Sequence, residues 1–203
     1  MKDDYEVIGV NYWKEVKKDL KNTLSGFWNS LLLIHNSEDF KEIINFLSNL
    51  PYSGNVTYIS LTKTSEAITP FFMMSKRKLF IVDCVSSALF EKVNTESCFF
   101  ENPPSSLTEI EKLMDTYLKK LNPDIMILDS LSQFCDFSSV STSNTGQVNN
   151  FLNYLQKKNS TTHCKFVIIY ENLDSKELRF LPVFNLNMIL RMEILKARID
   201  WKD

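Results

Sequence analysis

Two aspartates close apolar runs in this chain. Ile125, Met126, Ile127 and Leu128 end in Asp129 and Ser130, and Leu79, Phe80, Ile81 and Val82 end in Asp83. A carboxylate at the carboxyl end of a buried strand is where an α/β protein keeps a ligand site, and it is equally a common cap for the turn that follows. Ser130 and Ser132 lack a glycine-flanked elbow and a histidine relay, which argues against hydrolase chemistry. His35 and His163 lie far apart with no carboxylate or cysteine at ligand spacing, so no metal site is expected. Cys84, Cys98, Cys135 and Cys164 form no C-x-x-C pair and read as reduced, mostly buried thiols. Lys76, Arg77 and Lys78 sit between a helix and a strand, where they suit either a phosphate or the negative end of a helix dipole.

Holding Asp83 and Asp129 in place requires a sheet. Wholly apolar or β-branched runs predict strands at 30–34, 56–61, 78–83, the run ending at Asp129, and 164–170, with one or two more in the tail at 187–199. Between them, apolar residues at helical spacing predict helices over 37–47 (Phe40, Ile43, Ile44, Leu47), 65–76, 107–121 and 149–158. Ser37 is placed to cap the first of these, with Asp39 near the positive end of its dipole. Residues 5–24 read as a short amphipathic helix or edge element, and the Ser/Thr/Asn-rich stretch 138–146 as a mobile surface loop. Phe99 and Phe100, in the loop before Pro103 and Pro104, read either as a contact patch or as cover for the core's edge.

Composition narrows the classes. With 203 residues and no Pro/Gly/Ser-rich divider, one domain over 1–203 is expected, with 1–23 as an amino-terminal element and 24–199 as the core. The 23 basic and 25 acidic residues nearly cancel, so no global field draws in nucleic acid or an anionic membrane. No apolar run approaches the roughly 20 residues needed to span a bilayer, and a cytoplasmic protein is expected. The only glycines are Gly9, Gly26, Gly54 and Gly146, too few for any loop that needs several together.

Strands alternating with helices, one strand ending in Asp-Ser, resemble the RecA-like ATPase core and most of all its KaiC-like branch. The run 56–61 is similar to the strand that follows the phosphate-loop helix in that branch. The run 123–132 looks like its Walker B strand, and Met192 to Arg198 like its closing strand with a Lys-x-Arg ending. The resemblance spans roughly 24–198. It implies a three-layer P-loop NTPase fold, a mostly parallel sheet with helices on both faces.

The departures from that pattern govern function. A phosphate loop needs G-x-x-x-x-G-K-[ST], because glycines let backbone amides close on the phosphates. Laid after the first strand, the pattern puts His35 and Phe40 at the glycines, Lys41 at the lysine and Glu42 at the hydroxyl. The glutamates that would activate water after the second strand are replaced by Thr62 and Lys63. Hydrolysis is therefore not expected, nor is an ATP or magnesium cofactor. Lys41, Asp129 and Ser130, with Asp83, remain as a remnant ligand site, and a buried Lys41–Asp129 ion pair is the structural alternative. Lys196 and Arg198 match residues that, in KaiC-like rings, reach a neighbour's nucleotide; two exposed cations discouraging edge pairing are the alternative.

The implied function is a non-catalytic regulatory or scaffold subunit working through protein contacts. Families degenerated in this way are mostly archaeal and associated with signal transduction. The partner would be a second copy or an intact RecA-like ATPase. The alternative is a weak nucleotide or nucleic-acid binder using residues 76–78 and 138–146.

Overall fold

Apolar strands long enough to be covered on both faces pair into a single sheet in the computed structural model. It describes residues 28–48, 54–73, 77–138, 142–173, 177–179 and 188–192, together with Lys18 and Asn22. The strands are β1 (Ser30–His35), β2 (Val56–Ser60), β3 (Leu79–Asp83), β4 (Cys98–Phe100), β5 (Ile125–Asp129), β6 (Lys165–Glu171) and β7 (Met188–Arg191). Their order is β4-β3-β2-β5-β6-β1-β7, which puts the Asp129 strand in the middle. Every pairing is parallel. The helices are α1 (Phe40–Ser48), α2 (Ser65–Phe72), α3 (Leu107–Leu121) and α4 (Thr142–Asn159).

Alternation along each strand divides its side chains between two cores. Leu31, Leu33, Tyr58, Ile81, Ile127 and Ile169 pack with Ile43, Ile44 and Leu47 of α1 and with Ile68 and Phe72 of α2. Leu32, Ile34, Phe80, Val82, Leu128 and Ile168 pack with Ile110, Met114 and Tyr117 of α3 and with Val148, Phe151 and Leu155 of α4. The chain steps from β1 to β2 and β3 in one direction, and from β4 to β5 and β6 in the other. Crossovers of one hand taken in opposite directions lay their helices on opposite faces, which is why α1 and α2 share one core and α3 and α4 the other. This is an α/β protein with an all-parallel sheet. Among the described residues no helix is long and apolar enough to cross a membrane.

Several elements differ from the expectations above. Ser37 does not cap α1: it lies within a 3-10 turn, Ser37–Asp39, whose N-cap is Asn36 and which has no side-chain cap bond. The stretch 138–146 is not all loop, because α4 begins at Thr142. Residues 142–147 include no apolar side chain, so the first turns carry no apolar periodicity. Residues 98–100, expected as loop, add β4 to the sheet edge beside β3. Phe99 is buried there, 6.5 Å from the Phe80 ring and 5.4 Å from that of Tyr117, and so covers the core. The 5–24 element, apart from Lys18 and Asn22, lies outside the described residues, as do Lys76 and the tail beyond Met192.

The turn into β2 depends on one glycine. Gly54 has φ 130°, and a Cβ there would lie 2.0 Å from Asp124 Oδ2. That oxygen accepts the Asn55 N–H at 2.8 Å, so it cannot swing aside without losing a bond. Gly54→Ala is expected to cost about 1–3 kcal/mol in urea unfolding. A variant as stable as the parent would show that neither the dihedral nor the Asp124 contact is needed.

Candidate functional site

Parallel strands all finish at one edge, and in this chain all the described strands but β4, which ends in Phe100, finish in polar residues. β1 ends in His35, β2 in Ser60, β3 in Asp83, β5 in Asp129 and β6 in Glu171. Ser60 stands in register with Asp83 on one side and Asp129 on the other, and His35 stands opposite Glu171. All five occupy strand positions that alternate onto the α1/α2 face. Connections leave the neighbouring strands β2 and β5 in opposite directions, and a crevice at such a switch point is where open α/β sheets bind ligands.

Asp83 is fully engaged. Its Oδ1 accepts the Val85 and Ser86 N–H groups at 2.9 and 2.8 Å, and its Oδ2 accepts the Ser65 N–H at 2.6 Å and the Ser86 hydroxyl at 2.7 Å. Burial alone would raise its pKa, but the bonds from Ser86, Ser65 and Val85 outweigh burial and hold it below the usual carboxylate range. Asp83 therefore ties the start of α2 to the turn after β3. It has no lone pair to offer a ligand.

Asp129 is wholly buried and less well satisfied. Tyr58 donates its hydroxyl to Oδ2, while Oδ1 has no hydrogen-bond partner. Burial raises the Asp129 pKa above its ordinary value, against the opposing pull of Lys63, the Tyr58 bond and His35. Burial and this carboxylate together raise the Tyr58 phenol well above its usual value, so Tyr58 remains the donor. His35 donates from Nδ1 to the Asn36 carbonyl at 2.7 Å, since a carbonyl only accepts. Its Nε2, also buried, has no hydrogen-bond partner.

The cation at this carboxylate is Lys63. Its Nζ lies 3.8 Å from Asp129 Oδ2, 3.5 Å from Glu171 Oε2 and 4.1 Å from the centre of the Phe40 ring. The Ser60 hydroxyl fixes the turn that carries it, accepting the Lys63 N–H at 3.2 Å and donating to the Lys63 carbonyl at 2.5 Å. Lys41, by contrast, is exposed on α1, and the buried pair with Asp129 is made by Lys63 instead. Physically, Phe40 and not Lys41 is the α1 residue turned inward, against the α2 core and under the Lys63 ammonium.

Ser130 is buried and tied to the site rather than facing solvent. Its hydroxyl is 2.5 Å from that of Ser132, and Ser132 Oγ accepts the Glu171 N–H at 2.7 Å. The Asp129–Ser130 peptide is cis. Beside Glu171, a pocket of about 220 Å³ opens between Ser132, Cys135, Asp136, Tyr170 and Asn172. Burial pushes the thiols of Cys84, Cys135 and Cys164 up to about 12, so they are protonated at neutral pH and are not nucleophiles. Among the described residues no three His, Cys, Asp or Glu side chains are arranged to hold a metal ion.

Of the residues singled out in the sequence, Asp129 and Ser130 meet at this edge. Asp83 is at the same edge but serves the backbone. Lys196 and Arg198 lie outside the described residues. Glu171 was missed, although it shows the signal that exposed Asp129, an apolar run closing on a carboxylate. Lys63 stood out only as the wrong residue for a catalytic base.

The architecture and the polar strand-end row define an α/β protein with an all-parallel sheet whose buried polar groups gather at its carboxyl edge. No protein-family model matches the sequence, and no curated protein is significantly similar to it.

Proposed function

We propose that this chain is a non-hydrolysing domain of the RecA-like, KaiC-related type, acting as a regulatory or scaffold subunit through protein contacts. The observation that carries the reading is Lys63. It stands where that family keeps a catalytic glutamate, and its ammonium is held by Asp129, Glu171 and the Phe40 ring. A cation supplied by the chain itself meets the Asp129 carboxylate that would otherwise organise magnesium. Phe40 fills space that a phosphate loop leaves open. The central, parallel Asp129 strand supports the family resemblance in its order of elements.

The chemistry left at this edge favours a static role. A half-buried, paired cation and a buried carboxylate have no water-activating base between them, because Lys63 is committed to its partners. Function then falls to the outer surfaces, with a second copy or an intact RecA-like ATPase as the partner.

Titration with a fluorescent ATP analogue and magnesium is expected to show no saturable binding, and the solution mass is expected to exceed that of one chain or to rise with a co-purifying partner. Micromolar ATP affinity abolished by Lys41→Ala would overturn the pseudo-ATPase reading. A monomer that retains no partner would overturn the scaffold reading.

A further inference from the structure

In a parallel sheet with helical crossovers, every strand begins at one edge, and every crossover helix ends there. Among the described residues that edge is basic. Arg77 and Lys78 precede β3, Lys119 and Lys120 lie in the last turn of α3, Lys157 and Lys158 in the last turn of α4, and Lys165 opens β6. The carboxylates near them are Asp124, which accepts the Asn55 N–H, and Asp115 further up α3, which pairs with Lys158 at 2.6 Å. Glu38, Glu66, Glu101 and Asp136 belong to the opposite edge, where Lys63 and Lys92 are paired with carboxylates, so among the described residues the basic charge gathers at the amino-terminal edge.

Helix dipoles account for the four lysines that end α3 and α4. They do not account for Lys165, which opens β6, nor, against the expectation from sequence, for Arg77 and Lys78, which lie five and six residues past the end of α2 at Phe72. From β3 to β6 is three strand spacings, about 14 Å, and α3 and α4 extend the charge over one face. Four of the ammonium groups are steadied on rings: Lys120 lies 4.0 Å from the centre of Phe99, Lys78 4.9 Å from that of Phe80, Lys165 4.9 Å from Trp28 and Lys158 5.3 Å from Tyr154. Steadied cations lose less freedom when an anion arrives.

We infer that this amino-terminal edge is a docking surface for the phosphate backbone of double-stranded nucleic acid. It is lysine-dominated, and lysines act as point charges on phosphates without reading bases. The rings beneath them are not available to unstacked bases, since Trp28 and Phe99 are buried, which favours a duplex over a single strand. A protein partner would need aromatic or arginine anchors, and among the described residues this edge offers one arginine, the partly buried Arg77, and one exposed large apolar residue, Met73. The inference does not rest on the proposed pseudo-ATPase role, because it concerns the opposite edge of the sheet.

The test is fluorescence anisotropy of a labelled 20-base-pair duplex with the full chain at about 50 and 200 mM salt. Binding is expected to fall steeply with salt. Lys119→Glu with Lys120→Glu and Lys157→Glu is expected to weaken it at least about tenfold and to reduce the logarithmic salt slope by up to about 2.7. Lys41→Glu, exposed near the other edge, is expected to leave it within about twofold. The corresponding three Lys→Gln changes keep the test valid if the reversed charges disturb the helix ends. No duplex binding at low salt, equal loss in Lys41→Glu, or binding to phosphatidylserine vesicles without duplex binding would each overturn the inference.

Discussion

Asp83→Ala is expected to lower the unfolding free energy by about 3–5 kcal/mol, because it strands several buried donors at once. The Ser65, Val85 and Ser86 amides and the Ser86 hydroxyl all end on this carboxylate, which is itself wholly buried. Asp83→Asn should fall between, since one amide oxygen can still serve Val85 and Ser86 while its NH₂ group faces the Ser65 N–H. The carboxylate's pKa is depressed in the fold, so its stabilisation is present above the unfolded value near about 4 and is lost as pH falls through the lower, folded value. Urea midpoints for parent and Asp83→Ala should therefore converge on acidification below about pH 4. A loss under about 1 kcal/mol at neutral pH would mean that Asp83 is not the structural cap described, and would return it to the list of ligand candidates.

Lys63→Met should cost about 2–3 kcal/mol. Removing one partner of a buried pair usually costs about 3–5 kcal/mol; the lower figure reflects a Lys63 side chain still 21% exposed and the Tyr58 bond that remains to Asp129. Asp129→Asn should act the other way, stabilising the fold by about 1 kcal/mol at neutral pH, as expected for a residue that burdens the fold. The sign follows from burial raising the Asp129 pKa: the folded state holds its proton more tightly, so stability is lost as pH rises from the unfolded value of about 4 through the folded one. The benefit of Asp129→Asn should be absent below about pH 4 and grow above it. In the double variant, most of the Lys63→Met loss should disappear, because no buried carboxylate is left uncompensated. Additive single and double effects would show that Lys63 and Asp129 are not coupled, and the self-supplied cation would then cease to explain the site.

A buried carboxylate with one unpartnered oxygen, beside a histidine nitrogen in the same condition, is costly to keep. The surrounding bonds compensate only in part. Lys63 and Tyr58 both address Asp129 Oδ2, and Ser130 and Ser132 link the end of β5 to Glu171 on β6. The fold is therefore cross-braced at the carboxyl edge of its sheet.

Much of this architecture was legible from local pattern. The runs at β1, β2, β3, β5 and β6 are apolar on both alternating faces, and a residue flanked by apolar neighbours on both sides has nowhere to go but a covered strand. The stripes of α1, α2 and α3 carry their own period. β4 was not legible, because three residues are too few for any period, and it exists only because β3 offers an edge to pair with. The first turns of α4 were not legible for the converse reason: they are helical without burying an apolar stripe.

By itself the sequence determined that strands end in carboxylates, that no loop holds several glycines, and that a lysine follows β2. It could not determine which lysine meets Asp129. Lys41 was the candidate by alignment with a pattern, yet helix phase turns Phe40 inward and leaves Lys41 in solvent. Lys63 reaches Asp129 because β2 and β5 are neighbours, and Glu171 because β6 lies next, a contact across 108 residues. Local periodicity reports only whether a residue is covered. Which strand covers it, and so which charges meet, depends on the strand order that the two directions of crossover impose, and only the tertiary structure decides that.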